Sequence, residues 1–240
     1  MRYAGVESSL SEAVKQFDSI VSRREKLIKD SRDVISLSAK TIVSVHTSNF
    51  SEAENLRIEV KQKIENLRKI AGSDLTRYLV TPEQEFVECS VMLAVATKKE
   101  LPSRKQLGVS PTSYVLGMLD VIGELKRAVY DSIRKDDFGD AERMFSVMET
   151  LYLLVSPLAV YDHIAQGTKR KLDVARILIE DTRATVTEEA RRRKFVEAVN
   201  DLALRLGKAS LKLPAHVSLS LGPKVSENRN ETSSEEDESE

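Results

Sequence analysis

From Val6 to Val45 the apolar residues Leu10, Val14, Phe17, Ile20, Val21, Leu27, Ile28, Val34, Ile35, Ile42 and Val43 recur mostly at steps of three and four. That rhythm is the 3.6-residue period of a helix with one apolar face; a strand, whose side chains alternate, cannot produce it. One long amphipathic helix, closing near Ser48-Asn49, therefore opens the chain, and it needs other helices beside it to cover its face. Nine Gly and six Pro in 240 residues, with only 5% aromatic residues, point the same way, because helices tolerate few breakers and sheets favour aromatic and β-branched side chains. The expected fold class is all-α.

Local signals divide the remainder. Ser51-x-x-Glu54 has the form of a capping box and starts a second helix through Leu56, Val60, Ile64 and Leu67 to Gly72. A short helical turn covers Leu75 to Leu79, and Thr81-Pro82-Glu83 supplies the cap and first positions of a third helix running to about Thr97. Residues 98–110 read as an internal loop. Ser110-Pro111 restarts a helix reaching about Arg134, and Gly139 falls in the next turn. A further helix from about Asp140 is bent or split at Pro157, and a charged one extends from Thr168 to about Leu206, where Gly207 ends it. The sum is an antiparallel bundle of about six or seven helices in a domain over 1–207. A flexible acidic tail over 208–240 follows, and no internal repeat argues for a solenoid.

Composition excludes several classes. A single Cys rules out a disulfide framework and a Cys-based zinc site, and three His (His46, His163, His216) leave little for a histidine-rich metal centre. The glycine motifs of nucleotide binding are absent, as is a pair of Glu-x-x-His motifs of the ferritin-like kind. Cys89 lies among apolar residues and reads as a small core side chain. No small-molecule cofactor is expected. The best apolar run, Met148 to Tyr161, is short and broken by Ser156 and Pro157, so no membrane span is expected. With no signal-peptide pattern at the amino terminus, a cytoplasmic location is expected. Net charge is −1, yet residues 226–240 hold seven acidic residues against Arg229 alone, a net of −6, leaving +5 on the other 225. An anionic partner such as nucleic acid is allowed by that balance.

Two carboxylate pairs stand out. Glu85 and Glu88, at i, i+3, share a face of the helix opened by Pro82, and Asp120 and Glu124, at i, i+4, share a face of the helix opened by Pro111. Between Tyr114 and Leu125 every residue other than those two acids is apolar or Gly. Burying carboxylates in so apolar a setting is costly unless something compensates them, and a metal ion is one such compensator. The other reading of each pair is the solvated stripe of an amphipathic helix. Oxygen-only donors would select Mg²⁺ or Mn²⁺, which assist phosphodiester hydrolysis. Gly117 and Gly123 would admit a close neighbour.

At these residues the chain resembles the translin family, and more closely its catalytic branch, translin-associated factor X (TRAX). The likeness covers most of residues 15–190. It is carried by Arg24-Glu-Lys-Leu-Ile-Lys-Asp-Ser-Arg-Asp-Val, Val60-Lys-Gln-Lys-Ile, Gln84-Glu-Phe-Val-Glu and, above all, Val109-Ser-Pro-Thr-Ser-Tyr-Val-Leu-Gly-Met-Leu-Asp-Val-Ile-Gly-Glu-Leu-Lys-Arg. Lys169-Arg-Lys-Leu-Asp is a weaker match to the family's final helix. The resemblance implies a helical protomer that self-associates into a hollow homo-oligomer, usually an octamer, and binds single-stranded RNA or DNA. In the catalytic branch it implies a Mg²⁺-dependent endoribonuclease whose acidic cluster falls here on Glu85, Glu88, Asp120 and Glu124. Translin proper has basic and amide side chains around the first pair. The shorter 98–110 loop and compact form are similar to archaeal homologues, which build the shell from one subunit type.

Candidates for RNA contact are Arg77, Lys126, Arg127, Arg134, Lys169, Arg170 and Lys171, with the run Arg191 to Lys194, since phosphates need cations. Any one of them is more often part of a solvated face than a phosphate contact. Sparse aromatics favour backbone tracking over base readout. Three functions follow: a metal-dependent endoribonuclease, a non-catalytic single-stranded RNA or DNA scaffold, and a purely structural helical oligomer.

Overall fold

The computed structural model describes residues 3–205. It holds seven α-helices and no strand among the described residues: α1 (Ala4–His46), α2 (Phe50–Ala71), α3 (Val80–Ala96), α4 (Arg104–Leu107), α5 (Pro111–Arg134), α6 (Phe138–Val155) and α7 (Thr168–Arg205). Short 3-10 helices over Thr76–Leu79 and Ser156–Tyr161 precede α3 and follow α6. The chain divides into two compact units, one up to Glu189 and one from Ala190, a boundary that falls inside α7. The boundary expected at 207/208, Gly207 and the acidic tail lie outside the described residues.

In the first unit the expected all-α antiparallel bundle is what forms. Helix α1 packs on α2 and α3, α3 on α5, and α5 on α6. Its core joins Leu27 and Val34 of α1, Val60 and Ile64 of α2, Phe86 and Met92 of α3, Ile122 and Leu125 of α5 and Met148 of α6. Leu172, Ala175, Ile179 and Val186 bring the first half of α7 into the same cluster. The buried stripe of α1 alternates apolar residues with Ser31, Ser38, Thr41 and Ser44, small side chains that let neighbouring helices approach. Its apolar period is as expected, but Val6, Leu10, Val14, Phe17 and Val21 are about half exposed or more, so burial begins only toward Leu27.

Some helix ends differ from the sequence reading. Asn49, two residues before the Ser51 box, caps α2 by accepting from the Glu52 amide. The 3-10 turn runs straight into α3, leaving Thr81-Pro82 inside its first turn without a side-chain cap. Gly139 sits within the first turn of α6, capped by Asp137. The expected 98–110 loop contains α4, where Ser103 Oγ accepts from the Gln106 amide and the Gln106 side chain accepts from the Ser103 amide at 2.7 Å. That reciprocal cap and buried Leu107 fix the segment. Ser110 caps α5 and Pro111 opens it, as the sequence indicates. Pro157 ends α6 in the 3-10 turn. By length and composition Phe138–Tyr161 is apolar enough to cross a membrane. Ala141, Met144, Met148, Leu151 and Val155 of that stretch belong to the core, while Leu153, Leu154 and Val160 face outward.

Candidate functional site

Glu83 fixes how α3 meets its neighbours. Its buried carboxylate takes two hydrogen bonds from Arg68 of α2, at 3.0 and 2.8 Å, and one from the Ser110 amide at the start of α5, at 3.0 Å. Two turns along α5, Gly117 lies against α3: a Cβ there would stand 2.7 Å from the Gln84 carbonyl oxygen and 2.7 Å from Val87 Cβ. The glycine thus permits a close approach, and the faces carrying the two acid pairs meet across it.

All four acids are partly buried, so neither pair is a freely solvated stripe. They are not equivalent. Glu85 and Glu88 make no hydrogen bond and no ion pair among the described residues. Burial, followed by the nearby Asp120, Glu85 and Glu124 carboxylates, pushes Glu88 up to about 8. Glu85 is raised too, by burial and then by Asp120, with Lys171 opposing. Asp120 is held from two sides, by the Lys171 ammonium of α7 and the Gln84 side-chain amide of α3. Glu124 accepts from His46 Nε2 at 2.7 Å, with Arg127 3.7 Å away. The hydrogen bond from His46 lowers the Glu124 pKa against the opposing effect of burial. The result is two acids with cationic or amide partners, Asp120 and Glu124, beside two that have none, Glu85 and Glu88.

Four neighbouring carboxylates, two of them raised by burial and by the charge of the others, form a hard oxygen donor set, which in chemistry fits a small divalent cation. No three of the described Asp, Glu, His and Cys side chains are gathered to grip one ion as they stand. Lys171 supplies the positive charge that Asp120 meets here.

The basic candidates separate. Lys171 sits inside the acid cluster, and with Arg170 it lines a cavity of about 430 Å³ together with Leu119, Asp120, Gly123 and Val174. Arg170 and Lys169 are exposed and carry no ion pair among the described residues. Lys126 is tied to Asp181 at 2.5 Å, under Tyr130. Arg127 lies beside Glu124, and Arg134 pairs with Asp131 at 2.8 Å. Arg77 stacks on Tyr78, 5.0 Å from the ring centroid, and touches none of the four acids. Arg191 and Lys194 fall in the second unit, as do Arg192 and Arg193.

Sequence reading missed His46 and Gln84. The only signal for His46 was its place one turn beyond Ile42 on the buried face of α1; for Gln84, its position one turn before Glu88.

Known proteins share this arrangement of helices. A structure of AfC3PO in complex with duplex RNA superposes with a TM-score of 0.68 at 28% identity, covering 77% of this chain and 98% of that one. The crystal structure of AfC3PO gives 0.69 at 29%, with the same coverage. The crystal structure of apo-NeC3PO gives 0.67 at 19% over 75% and 96% of the chains, a likeness of fold. An uncharacterized protein of Methanocaldococcus jannaschii is 33% identical over 168 residues, which is 69% of this chain and 75% of the relative. The signature of the Translin family covers residues 22–181, taking in all four acids and the core helices α2 to α6, and the chain belongs to that family.

Proposed function

We propose that this chain is a Mg²⁺-dependent endoribonuclease that holds single-stranded RNA within a homo-oligomeric shell in the cytoplasm. The observation that supports the reading is that Glu85 and Glu88 of α3 lie near Asp120 and Glu124 of α5, with Glu88 pushed up to about 8 by burial and its neighbours' charges. Strongly shifted titratable groups cluster at functional sites, where burial and like charges are arranged to shift them. Glu85, Glu88, Asp120 and Glu124 would hold the ion; Mn²⁺ would serve as well. Bound there, it would supply Lewis acidity at the scissile phosphate. The chain's own contribution is to orient Asp120 through Gln84 and Glu124 through His46, and to offer Arg170 and Lys171 to phosphates at the rim of the adjoining cavity.

Belonging to the Translin family, and likeness to a protein solved with duplex RNA, support RNA as the ligand. Single-stranded RNA is the proposed substrate, with DNA a weaker ligand and duplex RNA the comparison. Self-association is supported by the apolar stripe from Val6 to Val21, exposed in the single chain; an octamer is the expected assembly.

A second reading has its own observation. Asp120 and Glu124 already have partners within the chain, as they would in a scaffold that binds RNA without cutting it. Labelled single-stranded and duplex RNA incubated with the protein in Mg²⁺, in EDTA, and with Asp120→Asn plus Glu124→Gln decides between them. Cleavage that needs the ion and falls at least about 100-fold in the double variant is the expected result. Salt-sensitive binding with no ion-dependent cleavage would instead establish the scaffold.

A further inference from the structure

We propose that His46 is a positioning residue for this acid site, fixing the Glu124 carboxylate so that one of its oxygens remains available to a divalent cation. The inference rests on the metal-dependent reading above.

His46 is the last residue of α1, so it comes from a helix that contributes none of the four acids. Its side chain is 7% exposed, and Ile42 and Val45 anchor the same turn in apolar surroundings. The backbone beyond it closes sharply: the Thr47 amide donates to the Val43 carbonyl and the Asn49 amide to the Ser44 carbonyl, across Ser48 at φ +60°. The imidazole is therefore held from both the core and the chain.

What it meets is specific. Nε2 lies 2.7 Å from Glu124 Oε2. A carboxylate that offers its other oxygen to a cation carries no proton and only accepts, so Nε2–H is the donor in that state. On the other side of the ring Nδ1 lies 3.7 Å from Asp131 Oδ2. Asp131 is two turns further along α5 and is itself held by Arg134. Arg134, Asp131, His46 and Glu124 thus form a line of polar contacts between α5 and the end of α1. In that line Oε2 of Glu124 is committed to the imidazole and Oε1 makes no hydrogen bond.

A carboxylate with one oxygen fastened loses less freedom when the other takes a ligand. Removal of such supporting hydrogen bonds commonly weakens metal affinity by about 10- to 100-fold. A purely structural role for His46, joining α1 to α5, would affect stability and leave affinity unchanged.

The test is binding of Mn²⁺ alone, without RNA, followed by electron paramagnetic resonance on the full-length protein, with thermal melting and sizing as controls. His46→Leu should weaken Mn²⁺ binding by about 10- to 100-fold, while His46→Gln, whose amide can donate from a similar reach, should stay within about threefold of wild type. Wild-type affinity in a folded Leu variant, or Gln as weak as Leu, overturns the inference. If His46→Leu does not fold, Gln against the shorter Asn decides: equal affinities overturn it, and a selective loss with Asn supports it. Asp120→Asn plus Glu124→Gln separates the two levels. If that variant binds Mn²⁺ as wild type does, or wild type binds none, the metal reading itself falls and this inference with it. If binding depends on the acids but not on position 46, only the role of His46 falls.

Discussion

Gly117 and Gly123 occupy the same helix six residues apart, yet the structure gives them opposite tasks. A methyl group at 117 would press on the Gln84 carbonyl and on Val87, whereas one at 123 meets nothing within 4 Å. Gly117→Ala should therefore destabilise by about 1–3 kcal/mol through overpacking, and Gly123→Ala should be neutral or stabilise by up to about 1 kcal/mol through reduced chain entropy. Melting temperatures of the two variants check the contrast; equal shifts would mean that α3 and α5 do not meet at 117. Glu88 makes a second residue-level prediction. Its carboxyl titrates at 4.5 in the unfolded reference and at about 8 in the fold. Between those values the folded chain keeps a proton that the unfolded chain releases, so this stability is complete at low pH and lost as pH rises through 8. In EDTA the melting temperature should fall from about pH 5 to pH 8, and Glu88→Gln should flatten that fall. Parallel profiles for the two proteins would show that Glu88 is not the group responsible. Both acid pairs were legible as helical spacings in an apolar stretch. Their inequality was not, because it depends on which helix end or amide faces each carboxylate across the fold.

Helix starts reveal how much of an element is local. Ser110-Pro111 could be read directly, since the hydroxyl cap and the fixed proline φ act within one turn. Ser51 and Thr81 misled because a competing signal lay nearby: Asn49 caps α2 two residues earlier, and a 3-10 turn replaces the cap of α3. The short α4 was hidden in a polar stretch because its box, Ser103 with Gln106, is followed by only one buried side chain, Leu107, within the element. Glu83 belongs to this scale, as the clasp joining α2, α3 and the start of α5. Glu83→Ala leaves Arg68 and the Ser110 amide without their acceptor and should cost about 2 kcal/mol, measured by urea unfolding; a change below about 0.5 kcal/mol would show the clasp to be incidental. The first turn of α7 is the element where free cations and the acid cluster adjoin. If RNA phosphates bind there, Arg170→Gln should lower the slope of log affinity against log salt by about one. Lys126→Gln should change it less, because Lys126 is already neutralised by Asp181. Equal slopes for both variants would place the phosphates elsewhere.

For the whole molecule, periodicity announces an apolar face without saying what covers it. The α1 pattern was read as one continuous stripe, and the fold uses it in two ways: from Leu27 it enters the core, while Val6, Leu10, Val14, Phe17 and Val21 stay exposed in the single chain. Which portion does which is set by the lengths of α2 and α3 alongside, a tertiary fact that no local window contains. His46 was out of reach for the same reason, since its partners sit on α5 nearly eighty positions later. The exposed stripe steps by four, four, three and four residues, one face of the helix, and such a continuous apolar edge is characteristic of an interface. A second copy of the chain is the occupant that the proposed homo-oligomer supplies. Leu10→Glu with Phe17→Glu places two charges in that stripe and should shift the mass measured by light scattering toward smaller species. Neither residue belongs to the core or to the acid cluster, so helix content and melting of the first unit should change little. An unchanged mass would assign assembly to another surface, and the outward-facing Leu153, Leu154 and Val160 of the α6 region would be the next to alter. If the oligomer dissociates while Mn²⁺ still binds, the acid site is complete within one protomer. If both are lost together, the carboxylates reach their working geometry only in the assembled protein.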